Sequence, residues 1–176
     1  MNTASPNGVR RALARLVEQG VVHADEHAAV TFYTGNREHL AWPAIEILAR
    51  MRHVLLERLE KELEGWQTKP VHASVFGSMA RGDGNAQSDI DILLIRPDGI
   101  EEDASPWAEQ VDGLRRRVVA WTGNQCQAFQ LNLDRLAEHA EVDDPLVDNW
   151  LHDSVTLVGV RLRTLLRQLS TGGDAQ

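Results

Sequence analysis

Cys126 is the only cysteine in the 176 residues, which excludes an intrachain disulfide and makes a reducing cytoplasm the expected setting. Long apolar runs are missing as well. Uncharged stretches such as Ile92–Ile95 are far too short to cross a bilayer, so no membrane is expected as a partner. The N-terminal residues, MNTASPNGVRRAL, lack the apolar stretch of a signal peptide. Positive charge is in deficit, with 18 Lys and Arg against 26 Asp and Glu and a net charge of −8, which argues against a general nucleic-acid coat. The seven histidines show no metal-ligand spacing, since His23 and His27, four apart, fall in a predicted hairpin rather than on a helix. Neither repeats nor low-complexity segments occur.

What is present suits a packed protein. Apolar residues make up 43% of the chain, enough for a core in one domain with a small appendage. SPNGVRRALARLVEQG reads as a short helix stopped at Gly20, with Leu13, Leu16 and Val17 at helical spacing. VVHAD and AVTFYT, around a polar EHA, read as a hairpin. One long helix is expected from Pro43, with Ile45, Leu48, Leu55, Leu59, Leu63 and Trp66 forming a single apolar stripe. The strand VHASVF follows, then a short helix SMAR, a glycine-rich loop and the strand DIDILLI. Asp98, Glu101, Glu102, Asp103, Glu109 and Asp112, with no base among them, read as a solvated loop entering a helix that Pro106 opens. NQCQAFQLN is a third strand, LDRLAEHA a short helix, and Asp144–Pro145 the cap and first position of another. SVTLVG and VRLRTLLRQL complete the chain as a strand and a helix, before a tail, STGGDAQ, expected to fray. The tryptophans fall at helical positions expected in a core or interface, Cys126 reads as a packing residue, and LRRRVV as a solvated helix face.

The chemistry concentrates in FGSMARGDGNAQSDIDILLI, residues 76–95. Alternation along a strand turns Asp89 and Asp91 to one face, about 7 Å apart, where two carboxylates can share a hard cation. Without a metal such a pair repels and one pKa rises. Gly77 lets the backbone approach a ligand closely, Ser78 opens a helix whose free N–H groups favour anions, and Arg81 lies one turn on. A Gly-Ser turn or a D-x-D taken singly is mostly structural. Together, in strand–turn–helix–loop–strand order, they point to a phosphate cradle beside a divalent-metal site.

The string GSMARGDGNAQSDID resembles the signature of the DNA polymerase beta superfamily, above all its minimal nucleotidyltransferases, which share G-S-x10-D-x-D. The resemblance covers residues 70 to about 160. It implies an α+β fold, a small mixed β-sheet with helices on one face, and transfer of a nucleoside monophosphate from an NTP to an acceptor with loss of pyrophosphate. It also implies Mg²⁺ or Mn²⁺ on Asp89 and Asp91, and a triphosphate held by Gly77, Ser78, Arg81 and Ser88. One departure matters: the superfamily brings a third acid from the next strand, and NQCQAFQLN has none. Gln127 is the expected equivalent. An amide oxygen can ligate Mg²⁺ but brings no charge and cannot serve as a base. Asp134, just beyond the strand, is the less favoured substitute.

Residues 8–34, GVRRALARLVEQGVVHADEHAAVTFYT, resemble the second half of a winged helix-turn-helix, a recognition helix and a two-stranded wing. Arg10, Arg11 and Arg15 are candidates for DNA phosphates. Against this, the first helices of such a module are missing, and three arginines balance Glu18, Asp25 and Glu26. The fragment is alternatively an element of a homodimer, since a partial module leaves apolar surface uncovered. The expected organisation is therefore a winged-helix fragment over 1–35, a connecting helix over 36–68 and a nucleotidyltransferase-like domain over 69–176. Two functions remain open. One is transfer of NMP to a protein, RNA or small-molecule acceptor. The other is a non-catalytic regulator that binds nucleotide, DNA or a protein, a HEPN toxin being one partner that the resemblance implies.

Overall fold

The computed structural model describes residues 5–84, 88–142 and 144–172. Residues 85–87 of the expected glycine-rich loop and the end of the expected fraying tail lie outside the described residues. The chain divides into two compact units, 1–51 and 52–176.

The N-terminal unit holds α1 (Pro6–Glu18), a hairpin of β1 (Val22–His27) and β2 (Val30–Gly35), and α2 (Trp42–Ala49). Ser5 caps α1 by accepting a hydrogen bond from the Gly8 amide at 3.1 Å. The hairpin pairs Val22 with Gly35 through to His27 with Val30, so a two-residue turn closes it, and Ala28 takes the positive φ of 48° that such a turn demands. Gly35 is required for another reason: the Trp42 ring lies where a side chain at 35 would stand. None of the described residues 5–51 is fully buried.

The expected single connecting helix is two helices. The amide of Arg50 reaches the carbonyls of Glu46, Ile47 and Leu48 at once, a tightened last turn that ends α2, and α3 (Met51–Glu64) begins anew. The apolar stripe therefore does not run through. Leu55, Leu59 and Leu63 are buried, whereas Leu48 belongs to α2 and is 63% exposed.

The C-terminal unit is built on a four-stranded sheet in the order β5–β4–β3–β6. Its strands are β3 (His72–Phe76), β4 (Ile90–Ile95), β5 (Cys126–Leu131) and β6 (Val155–Gly159). β3 runs antiparallel to β4 and β6, while β4 and β5 are parallel, which makes the sheet mixed. Besides α3, the described residues of this unit form α4 (Gly77–Arg81), α5 (Trp107–Thr122), α6 (Leu133–Glu141), α7 (Pro145–Asp153) and, after the last strand, α8 (Leu162–Gly172). The α+β class agrees with the sequence reading.

The expectation of helices on one face is corrected. In β4, Ile90, Ile92 and Leu94 join Leu55, Leu59 and Leu63 of α3 and Val111, Leu114 and Val118 of α5 in one core. The intervening Leu93 and Ile95 join Leu136 of α6, Val147 and Trp150 of α7 and Leu162 and Leu165 of α8 in a second. A strand apolar at consecutive positions needs cover on both sides, and β4 receives it. Polar side chains stitch these layers. Gln110 accepts from the amides of Gln67 and Thr68 at 2.8 and 3.2 Å and donates to the Thr68 carbonyl at 3.0 Å. Arg117 pairs with Glu62 across α5 and α3, and Arg115 with Asp112, so LRRRVV is not simply a solvated face.

His72 is fully buried in β3. Its Nδ1 lies 2.7 Å from the Val160 carbonyl oxygen, which can only accept, so Nδ1 carries the proton and Nε2 accepts from Ser74 Oγ at 2.9 Å. Burial lowers its pKa below the ordinary 6.5, opposed by the bond to Val160. The fold thus binds fewer protons here than the unfolded chain. This contribution to stability is complete above the unfolded value and is lost as pH falls through the lower folded one. The melting temperature is expected to fall between pH 7 and pH 5. His72→Asn, which keeps hydrogen-bonding groups but cannot titrate, should lose less over that interval. Parallel pH profiles would show the site uninvolved.

Candidate active site

The site is assembled where β3 ends and β4 and β5 begin. Antiparallel register sets Phe76 opposite Asp91, and parallel register sets Gln127 opposite Asp91 on the other side. Asp91, Phe76 and Gln127 therefore share one face of the sheet. Asp89 is exposed just before β4, two residues from Asp91. Its neighbour Ser88 has its carbonyl held by Asn124 Nδ2 at 2.8 Å, and the Ile90 amide donates to the Gln125 carbonyl at 2.8 Å. The loop after α5 thus sets where the aspartate strand starts.

Gly77 is the closest approach in the site. Its φ is +69°, and a Cβ there would stand 2.7 Å from Asp91 Oδ2. Two constraints coincide: left-handed backbone disfavours any side chain, and the carboxylate occupies the space one would need. The turn leads into α4, where Ser78 accepts from the amides of Gly82 and Asp83 through its carbonyl at 2.9 and 3.1 Å. Gly84 returns over this turn, and a Cβ there would lie 3.3 Å from Ser78 Oγ.

Arg81 faces acidic partners. It donates to Asp153 of α7 at 2.8 Å and to Asp83 at 3.4 Å, and these bonds raise its pKa further. It also exerts an attraction on Asp91. The Asp91 carboxyl is raised above its ordinary range, first by burial and then by the charge of Asp89, with Arg81 opposing. Cys126, in register with Ile90, is buried and its thiol is pushed up to about 11, chiefly by desolvation. A thiol so protonated is a packing group and not a nucleophile.

Among the described residues no group of three or more His, Cys, Asp or Glu is placed to hold a metal. The third strand presents Gln127 beside Asp91, and Asp134 lies in α6, beyond the end of β5. Gly77, Ser78, Arg81, Ser88, Asp89 and Asp91 gather around one end of the sheet. Arg10, Arg11 and Arg15 belong to α1 of the other unit, where all three are exposed.

The nucleotidyltransferase domain family matches residues 56–150, just over half of the chain and the stretch that contains every one of those gathered residues. The chain belongs to this family. No curated protein matches it. Solved structures with a similar fold include a toxin–antitoxin with AMP-PNP, at 17% identity and a TM-score of 0.45, covering 68% of this chain and 86% of that one. Another is a tri-AMPylated HEPN toxin from Shewanella oneidensis in complex with MNT antitoxin, at 14% identity and a TM-score of 0.44, covering 70% and 87%. A third is a putative nucleotidyltransferase from Sulfolobus solfataricus, at 26% identity and a TM-score of 0.31, covering 64% and 84%.

Two residues of the C-terminal unit that bear on the site escaped the motif. Arg52 of α3 donates through Nε to the Met79 carbonyl at 2.9 Å and through Nη2 to the Ala80 carbonyl at 2.5 Å, clamping the end of α4. Asp153 holds Arg81 from α7. Both act over long sequence separations, and no local pattern marks either.

The contact at Gly77 can be weighed by a double-mutant cycle. Gly77→Ala should cost about 1–2 kcal/mol from its backbone alone, plus the collision with Asp91. In an Asp91→Ala background only the backbone cost should remain. Equal losses in both backgrounds, measured by denaturant unfolding, would show that the carboxylate does not press on residue 77.

Proposed function

We propose that residues 52–176 bind a nucleoside triphosphate with Mg²⁺ or Mn²⁺ at Asp89 and Asp91 and transfer its nucleotidyl group only slowly. The observation that carries this reading is the pairing of Asp91 with Gln127 across β4 and β5. The carboxylate pair lies on the chain as the motif requires, and on this reading the amide of Gln127 takes the place of the superfamily's third acid.

The residues fit a hard cation. Asp91 is strained toward its neutral form by burial and by Asp89, and Arg81 opposes this. A divalent ion would relieve that repulsion through oxygen donors alone, the donor set Mg²⁺ prefers. When bound, it neutralises phosphate charge and stabilises the attacking and leaving oxygens of an in-line displacement. The chain's own groups do the rest. The left-handed turn at Gly77 brings main chain, with no side chain in the way, next to the carboxylates. The Ser78 hydroxyl and Ser88 flank the phosphates. Arg81 exchanges Asp153 and Asp83 for phosphate oxygens, a trade of like hydrogen bonds that costs little charge pairing. Gln127 can orient an acceptor hydroxyl by hydrogen bonding but cannot remove its proton.

For the acceptor, the family resemblance supports a protein partner of the HEPN type. The alternative is a regulator that binds nucleotide without transferring it, supported by the same missing carboxylate. For the N-terminal unit, DNA contact through the exposed Arg10, Arg11 and Arg15 is the corresponding proposal.

Calorimetry with Mn²⁺ and a non-hydrolysable NTP tests the core of this reading. Wild type should bind, and the Asp89→Asn, Asp91→Asn double variant should lose binding while melting no lower, because it removes a repulsion. Equal binding by both proteins would mean the site is misassigned. Arg81→Ala should weaken NTP binding by about 10- to 100-fold.

Transfer is followed with labelled NTP, Mg²⁺ and cell extract. Gln127→Asp or Gln127→Glu should raise the rate of label transfer by restoring the missing charge. Fast transfer by wild type that neither substitution improves would refute the slow-transfer account.

A further inference from the structure

The sheet face that carries Asp91 also carries an aromatic side chain that the fold leaves open. Phe129 lies in β5, two residues after Gln127 and therefore on the same side of the strand. Its register partner is Leu93, two residues beyond Asp91. Among the described residues of 52–176, every other Phe or Trp is buried or half-buried, whereas Phe129 is 41% exposed.

The ring is open but braced. It makes a T-shaped contact with Phe76, with centroids 5.5 Å apart and planes at 62°. Phe76 in turn packs edge-on against the buried Trp150, at 6.2 Å and 76°. Phe76 immediately precedes Gly77, so this aromatic row is anchored at the turn that meets Asp91. Single exposed aromatics are common on protein surfaces and by themselves mean nothing. This one differs in being held by a buried row and in its distance from the carboxylates. Strand rise and strand spacing put the Cα atoms of Phe129 and Asp91 about 8 Å apart. One nucleotide spans that gap when its phosphates sit at one end and its base at the other.

We propose that Phe129 is the platform on which the base of the nucleoside triphosphate stacks. This rests on the nucleotide-binding reading above and extends it to the base. Stacking on an aromatic ring accepts any base through its π face, without hydrogen-bond readout. The larger face of a purine gains more from it, so the site should favour purine over pyrimidine triphosphates modestly and should not separate ATP from GTP.

Calorimetry in Mn²⁺ with three probes, ATP, CTP and inorganic tripolyphosphate, tests this. Wild type should bind ATP more tightly than CTP, and CTP more tightly than tripolyphosphate. Phe129→Ala should weaken ATP binding about 5- to 20-fold and leave tripolyphosphate binding unchanged. Phe129→Tyr should bind ATP like wild type. Phe129→Leu keeps apolar bulk against Phe76 and loses the π face; it should behave like the alanine variant, and it serves if alanine unfolds the strand. Wild-type ATP affinity in Phe129→Leu, or equal losses for ATP and tripolyphosphate, would overturn the proposal. Wild type that binds tripolyphosphate and ATP equally would remove the platform but leave the phosphate site standing. Wild type that binds neither would remove both.

Discussion

The contact on which the C-terminal unit turns is the approach of the residue-77 backbone to the carboxylate of Asp91. Antiparallel pairing places Phe76 opposite Asp91, so the chain must leave β3 directly beside that side chain. A left-handed glycine is the local solution, because it reverses the chain and carries no Cβ to collide with Oδ2. From that turn α4 starts, and its position is then secured from two sides. Arg52 takes up its final carbonyls, and Asp153 takes up Arg81. Neither clamp would meet α4 if the turn at 77 opened the other way.

The electrostatics of the site follow from the same geometry. Asp91 is pulled partly out of water by the sheet and lies near Asp89, with Arg81 as the opposing cation. That arrangement costs stability in the free protein, because burial and a like charge both disfavour the ionised carboxylate. The two cores make the cost bearable. β4 is buried from Ile92 to Ile95 and carried between α3 and α5 on one face and α6, α7 and α8 on the other. Its start, where Asp89 and Asp91 sit, is therefore held by a rigid strand even though it faces solvent.

Much of this was legible in the sequence because its causes are local. Strand alternation, the Gly-Ser turn, the proline and aspartate at the start of α7, and the apolar steps Leu55, Leu59 and Leu63 of α3 each act within a few residues. The D-x-D motif likewise declares its shared face through the two-residue period of a strand. The pairing of Gln127 with Asp91 has no local signal in the chain, and the parallel register of β4 and β5 sets it. The break at Arg50 was missed because the apolar steps on either side happen to stay in phase, so periodicity alone draws one helix where there are two.

The sequence by itself determined the kinds of elements, their order, and the chemical identity of the cluster from Gly77 to Asp91, since those depend on side-chain type and short spacing. Tertiary structure alone decided that helices cover both faces of the sheet, that Arg52 and Asp153 hold α4, that His72 is buried against Val160, and that Phe129 stays open beside the carboxylates. These depend on which distant segments meet. A side chain's partner across 27 or 72 residues is set by the packing of the whole unit and leaves no periodic trace in the chain.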